Sequence, residues 1–497
     1  PAKTSLIDSS TGRKLTFGEL TAAVDSAAGG LLTNGLRQGD VVAICGFNVP
    51  EYGVAAHAVW RAGGVVVTVN PLFTVGEMVQ ELRDAGARFL IAAPEVMAHA
   101  VEAAGQTGVV DLFALGEAAG VKPFAALTSG YAAPPVVKVD TARDTGLILY
   151  SSGTTGLPKG VMLTHRNLVA ALLQLQAGDL SREDDVLMAI SPFFHVVGLH
   201  GILNLGIFTG ATIVVMRRYD LRKFLQSVQD YRISSAFLTP PVLVDLAKNP
   251  VVHEFNVSSL RSILCAAAPL GKDVEQECAD LLGCIVKQGF GTTETTGPIT
   301  TSPNELGEIR RGSCGPCSPS TQLKVVDPAS GVELEPGQQG EILVRGPQVM
   351  KGYLNNPAAT TLAIEPDGWL HTGDIGYADQ DGFLYIVDRL KEVIKYKAYQ
   401  VAPAELEAVL LTHPSVADVA VVPSPDEEAG EIPKAFVVPR AEASAEELMA
   451  YVASRVAPYK KVRSVQFVDA IPKSASGKIL RRLLVEQERE AKRVRTG

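Results

Sequence analysis

Two short stretches carry the residue types that phosphate chemistry needs. Residues 151–160 read SSGTTGLPKG. Glycines there let backbone N–H groups come close to phosphate oxygens. Ser151, Ser152, Thr154 and Thr155 add hydroxyl donors beside Gly153, and Lys159 adds a point charge. The Walker pattern fails, because Pro158 precedes Lys159 and Gly160 follows it, where that pattern needs Gly and then Ser or Thr. A Walker-type NTPase is therefore disfavoured. Residues 288–294, QGFGTTE, again place glycines after an apolar run, CIVKQ. Gly289 and Gly291 do not complete the dinucleotide fingerprint, since Glu294 holds its last position. A carboxylate there would repel pyrophosphate but could hold Mg²⁺ that bridges it. Either stretch alone also fits a surface loop, and the pair together favours phosphate.

The elements that must position these loops follow from the pattern. TGLILY reads as a strand running into the first loop. Helical segments alternate with the runs DVVAIC, GVVVTV, RFLIAA, ATIVVM and SSAFLT, the signature of α/β layers around a mainly parallel sheet. After residue 306 short strands with Gly/Pro turns, such as EILVRGP and GFLYIVD, predict an antiparallel β subdomain. DRLKEVIKYK at 388–397 is a charged junction, followed by a small α+β unit. The fold class expected is α/β: a large N-terminal domain of layered sheets over residues 1–390, and a small mobile C-terminal domain over 391–497.

Further segments extend the pattern: LPKGVMLTHRN, CAAAPLG at 265–271, GEILVRGPQVMKGY at 340–353, GWLHTGDIG at 368–376, DRLKEVIKYKAYQVAPAELE at 388–407 and PKSASGKILRR at 472–482. In order and spacing these resemble the adenylate-forming superfamily of acyl- and aryl-CoA ligases, nearest in look to 4-coumarate-CoA ligase-like enzymes. The resemblance implies two half-reactions. A carboxylate attacks the α-phosphate of ATP, giving an acyl-adenylate and pyrophosphate; the C-terminal domain then rotates and the thiol of coenzyme A displaces AMP.

It also implies roles. Lys478 would reach the carboxylate and α-phosphate, where a fixed cation stabilises charge that grows in the transition state. Glu294 would ligate Mg²⁺, Thr293 would meet the α-phosphate, Asp374 would accept the ribose hydroxyls, and Arg389 would contact ribose or phosphate. Phe290, where the family usually has Tyr, would stack on adenine or else pack as core. Ala267, Ala268 and Pro269 would form the opposite wall, with Gln288 and Gly289 nearby. Lys391 would be the hinge, and Lys395, Ala398 and Gln400 would border the CoA channel. Ala398 replaces a usual Gly, which is expected to slow the CoA step. The resemblance further marks Lys478 as a target for a lysine acetyltransferase, which would remove its charge.

The acid pocket would be built from His195, Val196, Val197, Gln174, Ala266, Gly291, Gly297 and Pro298. His195 stands where amino-acid-activating relatives have Asp, so an amino acid is not expected. Val197 stands where 4-coumarate-CoA ligases usually have Tyr, and a substrate hydroxyl buried beside Val would lose roughly 1 to 3 kcal/mol. Ala266 for Gly narrows a pocket that close packing cannot widen. The expected acid is apolar and of modest length: cinnamate, benzoate or a medium-chain acid before 4-coumarate. Rival readings are a stand-alone adenylation enzyme loading a carrier protein, a fatty acyl-CoA ligase, a luciferase-like oxygenase, and a thiol oxidoreductase built on CGPC at 314–317.

Composition bounds these readings. With 497 residues, at least two domains are expected. A net charge of −9 argues against a nucleic-acid binder, but it is unevenly spread. From residue 388 onward there are 18 Lys+Arg against 16 Asp+Glu, and before it 27 against 38. A lid that meets ATP and CoA has use for that balance. The first residues lack the basic flank and apolar run of a signal peptide. The most apolar window, 196–216, holds His200 and Asn204 and splits at Gly210 into a helix and a strand, so no membrane span is expected. Six unevenly spaced cysteines suggest reduced thiols in a cytoplasmic protein, a monomer or homodimer. A redox CxxC should open a helix, whereas Cys314 and Cys317 precede Pro319 and a strand.

Overall fold

The structure is a computed structural model. It describes residues 1–496 except 152–157, 269, 391, 397–398, 427–428, 457 and 475–476, and only the backbone of 306, 399–400, 489 and 491–496.

Two eight-stranded sheets dominate. In the first, the parallel strands Thr212–Val215, Val186–Ala189, Ser235–Leu238, Ser262–Cys265 and Ile285–Thr292 lie side by side, and Gly297–Thr301 closes the edge antiparallel. Their runs, such as TIVV, SAFL and SILC, are apolar or buried almost throughout, as strands covered by helices on both faces require. In the second, Thr145–Ser151 pairs parallel with Val65–Val69 and antiparallel with Lys159–Thr164, so that Ser151 lies opposite Lys159. The first phosphate loop therefore joins the two arms of a hairpin. A Walker loop is followed at once by a helix; here a strand follows.

The helices are punctuated by chemistry visible in the sequence. Thr16 with Glu19, Thr74 with Glu77 and Thr164 with Asn167 form reciprocal caps at three N-termini. Gly210, in the left-handed region at φ 80°, ends the helix Leu205–Thr209 before the strand Thr212–Val215. Before that helix the chain winds as a π-helix over Val197–Asn204.

The expected antiparallel subdomain is present as four strands, Gln322–Val326, Gly340–Arg345, Leu370–Ala378 and Leu384–Arg389. Beyond it Ile394–Tyr396, Tyr399–Val401, Val416–Asp426, Gly430–Pro439 and Ser464–Phe467 form a separate sheet, packed with the helices Pro403–Leu411 and Ala445–Ala453. Among the described residues, the apolar clusters of this last unit begin at Ile394 and share no member with those that precede it.

Candidate functional site

The ends of the two large sheets, the small antiparallel sheet and the loop around Lys478 enclose one cavity of about 1090 Å³. Each phosphate-type stretch contributes a wall. Glu294 Oε1 accepts from Ser151 Oγ at 2.9 Å and from Tyr353 OH at 3.0 Å, so the carboxylate of the second stretch is held by the start of the first. Lys159 Nζ stands 4.7 Å from the centre of the Tyr353 ring. Glu294 also accepts from Met350 N at its carbonyl, 2.8 Å. Gly291 has no substitute: a Cβ there would lie 1.6 Å from Gly297 O, in the bulge where the strands Ile285–Thr292 and Gly297–Thr301 change register.

One carboxylate flanked by hydroxyls suits Mg²⁺, which keeps several waters and takes substrate phosphates rather than a full protein cage. No group of three or more metal-ligating side chains occurs among the described residues. None of their hydrogen bonds reaches Glu294 Oε2. The donor set thus fits a metal that is carried in with phosphate.

A second set of charged groups lies at the cavity. Asp374 and Arg389 face each other across neighbouring strands, with Arg389 Nε 3.2 Å from Asp374 Oδ1. Asp374 Oδ2 is buried and has no hydrogen-bond partner among the described residues, an acceptor that calls for a donor. Burial pushes the Asp374 carboxyl up to about 6, against the pull of Arg389 and Lys478. Lys478 lines the cavity from the C-terminal unit. Its turn closes through Ser474 N to Lys478 O at 2.8 Å, and Gly477 adopts φ 80° against Thr239. Burial first, then the Arg389 charge, lowers Lys478 to about 8. Desolvation and the Lys478 charge hold His195 at about 4, a neutral imidazole.

Of the residues proposed for the acid pocket, His195, Val196, Val197, Ala266, Gly291, Gly297 and Pro298 line the cavity, as do Ala267, Gly289, Phe290 and Thr293. Phe290 lines the cavity and also packs against the cluster of Ile299, Ile342, Val344 and Leu384. Ala267 sits at φ 79°, a strained position for a residue with a Cβ. Two glutamines are elsewhere. Gln174 Nε2 donates to Pro319 O at 2.8 Å and to Thr321 Oγ1 and Gln348 Oε1 at 3.1 Å, which holds its amide behind the wall. Gln288 is buried and bonds Leu270 and Glu275. Ala268 and Lys395 are not among the lining residues. Ser152, Gly153, Thr154, Thr155, Pro269, Lys391 and Ala398, and the side chain of Gln400, lie outside the described residues.

Sequence reasoning missed Tyr353, although it ends the segment GEILVRGPQVMKGY. It also missed Glu81, a cavity-lining carboxyl that burial raises to about 8. Its signal was faint: one acid on the buried face of the helix Val75–Asp84. The CGPC pair is a loop, with Cys314 buried and raised to about 12, and no helix follows Cys317.

A family model described as AMP-binding enzyme matches residues 1–354, and one described as AMP-binding enzyme C-terminal domain matches residues 405–478. The chain is 45% identical over 489 residues to 4-coumarate–CoA ligase 5 of Oryza sativa subsp. japonica, covering 96% of this chain and 90% of that protein. It is 40% identical over 487 residues to a 4-coumarate–CoA ligase of Pinus taeda, with the same coverage. Among solved structures, ATP-bound MatB from Rhodopseudomonas palustris superposes with a TM-score of 0.90 at 29% identity, over 98% of this chain and 96% of that one. A benzoate CoA ligase from Burkholderia xenovorans LB400 does so with 0.88 at 27%, over 97% and 96%.

Proposed function

The chain belongs to the AMP-binding enzymes, and from that premise we propose that it is an ATP-dependent, AMP-forming acid–CoA ligase acting on an aryl or medium-chain apolar acid. ATP, Mg²⁺ and coenzyme A are its co-substrates. The observation that carries this reading is the meeting in one cavity of Lys478, Arg389 and the Ser151–Glu294–Tyr353 group, with Asp374 buried against Arg389 beside the lining residue Gly373.

In the first half-reaction an oxygen of the acid forms a bond to the α-phosphorus as the bond to pyrophosphate breaks. Lys478, cationic at neutral pH, offsets the negative charge gathering there. Asp374 Oδ2, buried without a partner among the described residues, accepts from the ribose, and Arg389 holds Asp374 in place. Lys159 and the hydroxyls of the first loop take the outgoing phosphates. Glu294 would hold Mg²⁺, which screens phosphate charge. In the second half-reaction the CoA thiol attacks the acyl carbon and AMP leaves. Neutral His195 borders that carbon and neither repels the thiol nor competes as an anion.

The boundary between the two domains falls near Lys391, on which the smaller one turns. Six unpaired cysteines support a reducing, cytoplasmic setting, and among the described residues no helix is long and apolar enough to cross a membrane. Acetylation of Lys478 would silence adenylation, and the enzyme would work as a monomer or homodimer. The deciding assay is pyrophosphate release with a panel of aryl and aliphatic acids, alone, with CoA, and with a phosphopantetheinylated carrier. Release with an acid and acyl transfer to CoA are expected. Transfer to the carrier alone would replace this reading with carrier loading.

A further inference from the structure

Past His195 the chain enters the π-helix Val197–Asn204, and two of its residues, Val197 and Gly201, line the cavity. Gly201 stands one turn further along the helix than Val197. Leu175, on the helix His165–Ala177, and Thr301, ending the strand Gly297–Thr301, line the same cavity. Among the described residues a Cβ on Gly201 would meet nothing nearer than Val197 Cγ1 at 3.9 Å, so open space lies over this glycine. Backbone geometry does not call for glycine here either, since Gly201 is not among the positive-φ residues, and glycine weakens a helix relative to alanine. Nothing among the described residues explains the missing side chain.

The helix is also prevented from settling into that space. His200 Nε2 donates to Leu168 O at 2.9 Å, which leaves His200 Nδ1 to accept from Asn204 Nδ2 at 3.1 Å. Asn204 Oδ1 then accepts from His57 Nε2 at 3.2 Å. Burial lowers both histidines to about 4, so neither ring gains a second proton that would break the chain of bonds.

We infer that Gly201 is a specificity-determining residue, the floor of the acid pocket, and that the substrate carries an apolar group at the end remote from its carboxylate. That group passes Val197 and lies over Gly201: a substituent on an aryl ring, or the outer carbons of a medium chain. This inference rests on the acid-activating reading and deepens it, because the acid is longer than Val197 and Ala266 alone imply.

The test is pyrophosphate release by wild type, Gly201→Ala and Gly201→Leu with two graded series, cinnamate to its 4-alkoxy derivatives and hexanoate to dodecanoate. In wild type kcat/KM rises from the parent acid to longer members of at least one series. In Gly201→Leu the ratio of kcat/KM for the favoured long acid to that for the parent falls at least tenfold, and in Gly201→Ala it falls less. Gly201→Ala also melts no lower than wild type, so a poorly folded Leu variant leaves the Ala variant to decide. A wild-type preference for the parent in both series, or ratios unchanged in both variants, overturns the inference alone. No pyrophosphate from wild type with any acid overturns the ligase reading and the inference with it.

Discussion

Two titratable side chains of the cavity, Lys478 and His195, and a third buried against its Arg389, Asp374, are driven apart by their surroundings. Asp374 is raised to about 6 by burial, Lys478 is lowered to about 8 by burial and Arg389, and His195 is held at about 4. Between pH 6 and 8 the free enzyme therefore presents an anion at Asp374, a cation at Lys478 and a neutral ring at His195, the charges that the proposed roles require. As pH falls through 6 Asp374 gains a proton and loses its charge; as pH rises through 8 Lys478 loses one. The profile of kcat/KM for ATP is expected to be a bell with limbs near 6 and 8, each falling about tenfold per pH unit beyond its limb. Lys478→Arg should lose the alkaline limb, because guanidinium does not titrate there. A wild-type profile flat from pH 5 to 9 would sink both assignments. These residues were named only through the resemblance, since a lone Lys in SASGKIL or a lone Asp in HTGDIG has no chemistry that spacing reveals. The tie between Ser151, Glu294 and Tyr353 was not legible, because it joins positions 143 and 59 residues apart.

Elements were easier to read than side-chain partners. Apolar runs bounded by Gly and Pro announced the parallel strands, and Gly210 announced the break between helix and strand. The π-helix was not legible, because the apolar spacing of VGLHGILN fits an ordinary helix equally well. Its polar members, His200 and Asn204, first read only as arguments against a membrane span, are what pin it. His200→Leu would strand Leu168 O and Asn204 Nδ2 in an apolar setting, and a buried unpaired group costs roughly 1 to 3 kcal/mol. A loss of about 3 kcal/mol is expected, read from the midpoint of denaturant unfolding. His200→Gln, able to keep one of the two bonds, should lose about half as much. Equal losses would mean that the residue's volume matters and its hydrogen bonds do not. Gln174 is the complementary case: read as a pocket wall, it is committed behind the wall by three acceptors, a fact set by the loop at 319–321 and by Gln348, far away in sequence.

At the scale of the whole molecule, the question is what keeps Lys478 in the cavity while the proposed second half-reaction needs the C-terminal unit to turn away. Arg481, three residues after Lys478, donates to Glu392 at 2.5 Å and to Glu407 at 2.6 Å. Glu392 and Glu407 both follow Lys391 and would travel with Arg481. Asp388 precedes Lys391 and accepts from Ala404 N at 2.9 Å, at the start of the helix Pro403–Leu411 of the C-terminal unit. The Asp388–Ala404 bond therefore belongs to the arrangement that delivers Lys478, and a turn at Lys391 would break it. Asp388→Ala removes that bond and leaves Arg481 both its glutamates, so the fold is expected to hold. A hydrogen bond contributes about 1 kcal/mol, and for two arrangements of similar energy that moves their ratio about fivefold. Pyrophosphate release without CoA should fall by roughly that factor in Asp388→Ala, whereas acyl transfer from supplied acyl-adenylate to CoA should hold or rise. A variant in which both half-reactions fall together would show that Asp388 supports the fold as a whole and does not choose between the positions of the C-terminal unit.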